Sequence, residues 1–195
     1  MERILDLAKR RGILRARDVA AKGLPRQYLV RLTARGLLER TARGLYRLPT
    51  SEVSENHSLA EACARVPRGA ICLLSALRFH NLTTQAPREI HMAIPEKDRT
   101  PTIAARRMRF FRFSGDAFGH GIETHQIDGV PVRVYSPAKT VADCFKFRSK
   151  VGQNVAIEAL RDCIQGRKAT VKELWAAAKV CRVTSIMRPY MEAML

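Results

Sequence analysis

The chain has 195 residues, 46% hydrophobic and 27% charged, proportions that suit a soluble protein of one ordinary domain plus a small one. Thirty-five Lys and Arg stand against 18 Asp and Glu, and the net charge of +17 points to a polyanion, nucleic acid first, as the partner. No apolar run approaches the roughly 20 residues that span a bilayer and no secretory signal opens the chain, so a cytoplasmic location with no membrane partner is expected.

Five cysteines, Cys63, Cys72, Cys144, Cys163 and Cys181, lie far apart with no CxxC. They read as reduced core thiols rather than a disulfide framework or a zinc ribbon. His120 and His125 lie near a glycine with no cysteine beside them, so no metal site is expected, and no cofactor motif occurs.

The first 48 residues carry thirteen Lys and Arg against four Asp and Glu. Ile4, Leu7 and Ala8 recur at helical spacing, predicting a helix over Glu2–Arg11 that Gly12 stops. Ile13-Leu14 is then an extended link able to pair with a later strand. A short second helix fits Ala16 to Lys22, with Gly23 as a left-handed cap. Pro25 in a first turn opens a third helix reaching Arg35, with Leu29 and Leu32 inward. Leu37–Leu48 reads as a hairpin turning at Ala42-Arg43-Gly44.

Three short helices and a hairpin in this order describe a winged helix-turn-helix, and a domain boundary falls at the polar stretch after Pro49. In such a fold the second helix of the pair enters the major groove with its N-terminal residues first. Arg26 and Gln27 are therefore the candidates for base edges. Arg31 and Arg35 are candidates for phosphates, Arg17 on the preceding helix is a further DNA-binding candidate, and Arg40 and Arg43 sit at or beside the wing tip, where a wing meets the minor groove or backbone. A protein-docking module of the same shape is the alternative; the arginine on the third helix and wing weighs against it.

Residues 50–195 read as a second, α+β domain: a small, mostly antiparallel sheet with helices before and after it. Helices are predicted over 55–65 and 69–79, the latter too apolar all round to lie on a surface. Strands follow at Glu89–Ile94, Met108–Phe113, Ile122–Ile127 and Val130–Tyr135, with Asp128-Gly129 as a two-residue hairpin turn. Ser136-Pro137 caps a helix reaching about Arg148. Further helices fit Asn154–Gln165, a capping box at Thr170 and Glu173, and 184–194.

Three segments together, LLERTARGLYRLP, LLSALRFHNLTTQAPREIHMAI and VPVRVYSPAKTVAD, resemble the AbiEi antitoxins of bacterial abortive-infection systems, a phage-defence arrangement, over Ile4 to about Gly166. The resemblance implies a winged helix that binds inverted repeats in double-stranded DNA of its own promoter and represses it. It also implies a C-terminal domain that counteracts a cognate nucleotidyltransferase-type toxin, without a stable complex between the two. Two other classes stay open: a regulator with no toxin, and a nucleic-acid-processing enzyme targeted by the winged helix. A neighbouring nucleotidyltransferase gene favours the antitoxin; metal-dependent DNA cleavage favours the enzyme.

No catalytic residue is assigned and the chain is expected not to be an enzyme. Ser75 sits in an apolar helix without a GxSxG elbow. Asp143 has no second carboxylate at partner spacing and is expected to bond a neighbouring backbone group, Arg or Lys. His80, His91 and His125 read as structural or surface histidines. Glu96-Lys97-Asp98 has a nuclease's letters in the wrong order.

The segment around Arg106, Arg107, Arg109 and Arg112 alternates poorly with Met108, Phe110, Phe111 and Phe113. It reads either as an edge strand blunted by arginine or as a second polyanion surface.

Overall fold

A computed structural model describes residues 1–50, 54–101 and 108–195. The chain divides into two compact units, 1–67 with 125–132, and 68–124 with 133–195.

The first unit begins with the winged helix. Helix α1 (Glu2–Arg11) buries Ile4 and Ala8 and stops at Gly12, whose φ of 61° suits a residue without a Cβ. Strand β1 (Leu14–Arg15), helix α2 (Ala16–Ala21) and helix α3 (Gln27–Ala34) follow. The wing is β2 (Glu39–Ala42) and β3 (Leu45–Arg47), with a register shift between Arg40 and Ala42. Leu14 pairs with Tyr46, so the predicted link joins the wing in an antiparallel sheet of order β1-β3-β2. Ile4, Ala8, Leu14, Val19, Leu29, Leu32, Leu38 and Tyr46 form the core.

Helix α4 (His57–Arg65) also belongs to this unit. Where sequence composition places a boundary after Pro49, the compact unit runs on to Pro67 and takes in a hairpin tip from far along the chain. Two contacts within the unit account for this. Ile13 N–H donates to the Asp128 carbonyl at 3.1 Å, and Nδ1 of His57 lies 2.5 Å from the Asp128 carboxylate.

In the second unit, β4 (Ala70–Ile71), α5 (Leu73–Phe79), β5 (Ile90–Pro95), β6 (Met108–Phe113) and α6 (Asp116–Gly119) come first. Then follow β7 (Ile122–Ile127) and β8 (Val130–Tyr135), of which residues 125–132 belong to the first unit, and α7 (Pro137–Lys146), α8 (Arg148–Val151), α9 (Gln153–Gln165), α10 (Val171–Cys181) and α11 (Thr184–Met194). The α+β layout holds, with sheet order β6-β5-β4-β8-β7. Pairing is mixed: β4 with β5 is antiparallel, whereas β4 with β8 and β5 with β6 are parallel.

The helix expected over 69–79 is shorter than its apolar pattern suggests. Ala70 and Ile71 instead pair with Ala93 and Met92, and Ile71 also with Val134. Cys72 is extended as the N-cap, and Leu73, the first residue of α5, takes a positive φ of 48°. An all-apolar run fits a central strand as well as a buried helix, and the two neighbouring strands decide it.

The Asp128-Gly129 turn has positive φ at both residues, 47° and 70°, as a two-residue hairpin requires. Helix α7 starts as its sequence predicts, with Pro137 in the first turn and the Ser136 hydroxyl accepting from Lys139 N–H. It ends at Lys146 rather than Arg148, and α8 follows as a separate turn. The Thr170–Glu173 capping box is complete on both sides. The main core gathers α5, α7, α9, α10 and α11 against the sheet, with Leu77, Phe113, Tyr135, Phe145 and Leu160 among its buried members.

Candidate nucleic-acid interface

Helix α3 packs by Leu29 and Leu32, and this fixes what it presents outward. Gln27, Val30, Arg31 and Ala34 repeat at i, i+3, i+4 and i+7, and all four are exposed. Arg26 stands just ahead of them as the N-cap, with helical φ and ψ. The helix therefore starts at Gln27, two residues later than the predicted opening at Pro25. The shift leaves Arg26 and Gln27 at the leading end.

All seven residues singled out from the sequence, Arg17, Arg26, Gln27, Arg31, Arg35, Arg40 and Arg43, are exposed. None of their guanidinium groups pairs with a carboxylate among the described residues. Local contacts orient three of them. Arg31 lies over the Tyr28 ring at 5.7 Å, Arg35 reaches Sδ of Met1 at 3.7 Å, and Nε of Arg40 donates to the Ala42 carbonyl at 3.3 Å.

Two carboxylates of the winged helix, Asp18 and Glu39, pair with other arginines. Asp18 holds Arg15 at 2.8 Å and Arg11 at 3.0 Å, tying the ends of α1 and β1 to α2. Burial raises the Asp18 carboxyl, but the Arg15 hydrogen bond and the charges of Arg15, Arg11 and Arg17 outweigh it and leave the pKa lowered. Glu39 pairs with Arg47 across the wing at 2.8 Å. The arginines thus fall into a neutralised, scaffolding group and an unpaired, outward group.

Sequence reasoning passes over Val30. It is 66% exposed between Gln27 and Arg31, an uncommon place for a β-branched apolar residue. The signal is present in its spacing, since i+3 from Gln27 lies on the same helical face. An apolar side chain there suits contact with a thymine methyl.

On β6, Arg106 and Arg107 lie outside the described residues. Arg109 is exposed, its guanidinium 5.4 Å from the Phe111 ring centroid. Arg112 donates to the carbonyls of Glu96 at 2.6 Å and Asp98 at 2.7 Å and to the Thr100 hydroxyl at 3.0 Å, so it organises the 96–100 loop. Strand β6 is an edge strand.

The residues that invite a catalytic reading have structural partners. The Ser75 hydroxyl accepts from the backbone N–H of His91 at 2.9 Å. Nε2 of His80 donates to the Tyr135 carbonyl at 2.7 Å. Asp143 pairs with Lys139, both fully buried. His91 is buried against Phe111, its Nδ1 without a hydrogen-bond partner among the described residues. Among the described residues no group of three or more His, Cys, Asp or Glu is placed to hold a metal ion, and no helix is long and apolar enough to cross a membrane.

Residues 2–49 match the family model described as a transcriptional regulator, AbiEi antitoxin. Over those residues the chain is similar to the AbiEi regulators. The match ends where the wing ends, short of Gly166, to which the sequence reading extends the expected resemblance. No curated protein matches the chain in sequence. Among solved structures, the chain is similar to the RV2827C protein from Mycobacterium tuberculosis, with a TM-score of 0.62 and 14% identity over 100% of this chain and 81% of that one. At that identity the likeness is one of fold, and it extends past residues 2–49 through the second unit.

Proposed function

We propose that this protein is a DNA-binding antitoxin that represses its own operon and counteracts a nucleotidyltransferase-type toxin, acting as a regulator and not as an enzyme. The outward row of α3 carries the reading: Gln27, Val30 and Arg31 exposed behind Arg26, with the arginines free of carboxylate partners among the described residues. A bidentate Arg suits guanine, Gln suits adenine, and Val suits the thymine methyl, so one helical face holds chemistry for several base identities. Arg35, Arg40 and Arg43 add phosphate contacts that position the helix without reading sequence. The AbiEi match of residues 2–49 supports the regulatory role. The toxin and its nucleotidyltransferase chemistry rest on the family resemblance alone.

Two measurements test this. The full chain should shift a fragment of its own upstream region in preference to a scrambled duplex, with affinity falling steeply as salt rises. Co-expression with the product of the adjacent gene should restore growth that the product alone arrests. Rescue that persists in an Arg26→Ala/Arg43→Ala chain with repression lost would separate antitoxicity from DNA binding. Sequence-specific shifting without any rescue would leave a stand-alone regulator.

A further inference from the structure

The positive charge of this protein is not concentrated in its winged-helix unit. The second unit carries 21 Lys and Arg against 10 Asp and Glu, a larger excess than the first. Part of that excess converges at the edge of the sheet. Arg109 on β6 lies 5.4 Å from the Phe111 centroid, and Nζ of Lys150 on α8 approaches the same ring at 5.9 Å. Lys150 is also 5.8 Å from the Phe147 ring, and Lys146 at the end of α7 is 6.0 Å from Phe113. The rings touch one another, with Phe111 to Phe147 at 5.4 Å and Phe113 to Phe147 at 5.2 Å.

Three cations from three elements therefore surround one aromatic cluster. Arg109 and Lys150 are exposed and Lys146 is half-buried. None of the three has a carboxylate within ion-pair distance among the described residues. Contact with a ring face holds a cation without neutralising it. Such cations are ordered before a ligand arrives, which lowers the entropy cost of binding phosphate. Phe147, the half-buried ring of the cluster, lies among them.

We infer that the edge formed by β6, the end of α7 and α8 is a binding surface for single-stranded nucleic acid, separate from the duplex-reading winged helix. Duplex readers place a helix or a two-stranded ribbon in a groove, where the bases are already stacked on each other. Cations grouped round a partly exposed ring fit a single strand instead, whose phosphates meet the cations and of which an unstacked base can lie on Phe147. Arg112, tied to the 96–100 loop, supports this edge and does not contact the strand.

The test uses the full chain and two labelled probes of about 20 nucleotides, an oligouridine and a duplex with no inverted repeat. Arg109→Glu/Lys150→Glu should weaken oligouridine binding at least about tenfold while duplex affinity changes less than about twofold. The neutral pair Arg109→Gln/Lys150→Gln, with thermal midpoint monitored, should weaken it in the same direction without reversing the local charge. The slope of log affinity against log salt should become shallower by about 0.7 for each phosphate that the variant no longer neutralises. Arg26→Ala/Arg43→Ala should show the converse pattern, losing duplex and keeping oligouridine. Absent oligouridine binding, unchanged binding in both edge variants, or equal losses on both probes would overturn the proposal. Equal losses would make this edge part of the duplex footprint. The duplex arm tests the winged-helix reading separately.

Discussion

Lys139 places its ammonium 2.6 Å from both carboxylate oxygens of Asp143, and neither side chain is exposed to solvent. The two are one helical turn apart on α7. The Tyr135 ring lies 4.1 Å and the Phe113 ring 4.7 Å from the ammonium, and the Cys181 thiol donates to Asp143 at 3.2 Å. Burial pushes the Asp143 carboxyl upward, and the Lys139 charge and hydrogen bond oppose that. Removing either partner leaves the other as an unpaired polar group in the core. Lys139→Met or Asp143→Leu should each cost about 3–5 kcal/mol, and the double variant should recover most of the loss. Urea denaturation of the four proteins in a double-mutant cycle checks this. Singles costing less than about 1 kcal/mol would show that the buried couple is not maintained in solution.

This pair also marks how far the sequence can be read. Ser136 and Pro137 announce the start of α7, and the isolation of Asp143 from other carboxylates predicts a partner that is a neighbouring backbone group, Arg or Lys. That the partner is Lys139, one turn away and fully buried, depends on rings from β6 and β8 that no local pattern brings together. The same limit explains Ala70–Ile71, whose strand character comes from neighbours at 92–93 and 134. Elements with a clean period and a strong cap are legible: α1, β8, the Asp128-Gly129 turn and the Thr170 box have predicted bounds close to the observed ones. The interface is legible as composition on α3 and the wing. Which arginines Asp18 and Glu39 neutralise is not, because it depends on tertiary pairing. Val30 escapes because an exposed valine looks like a core residue until the helix is oriented.

His91 should act as an acid-sensitive weak point. Burial, and secondarily the Arg109 charge, lower its pKa to about 4, against an ordinary value near 6.5. A depressed folded value means the unfolded chain binds the proton more readily. The contribution of His91 to stability is then fully present above pH 6.5 and is lost as pH falls toward 4. His91→Gln should flatten the pH dependence of stability in that window while changing it little outside. Denaturation midpoints between about pH 4 and 7 check the slope. A proton NMR titration of His91 near its ordinary value would contradict the burial argument.

The backbone of the first unit closes at one crowded junction. A Cβ on Gly129 would strike the Arg11 carbonyl, and one on Gly12 would strike the Asp128 carbonyl; both glycines have positive φ. Gly129→Ala and Gly12→Ala should therefore each destabilise this unit by about 2–3 kcal/mol, from backbone strain with steric collision added. Gly23→Ala serves as the comparison. It shares the positive φ, at 70°, but meets nothing within 4 Å, so it should cost only about 1 kcal/mol. Equal losses at all three positions would mean that the close approach of Arg11 to Gly129 is not retained in solution.

Base readers and backbone anchors in the winged helix should separate by their effect on specificity. Arg26→Ala and Gln27→Ala should each cost about 1–3 kcal/mol on the operator, and less on unrelated duplex, as bidentate base contacts require. Val30→Ser should lower affinity for sites carrying thymine at one position and leave other sites unchanged. Arg43→Ala should weaken all duplexes alike and reduce the salt slope by about 1, because a phosphate contact carries no sequence information. Binding isotherms on the operator, on single-base variants and on scrambled duplex at several salt concentrations distinguish these outcomes. Uniform loss in every variant would reduce α3 to a phosphate-binding helix and move sequence recognition to another part of the chain.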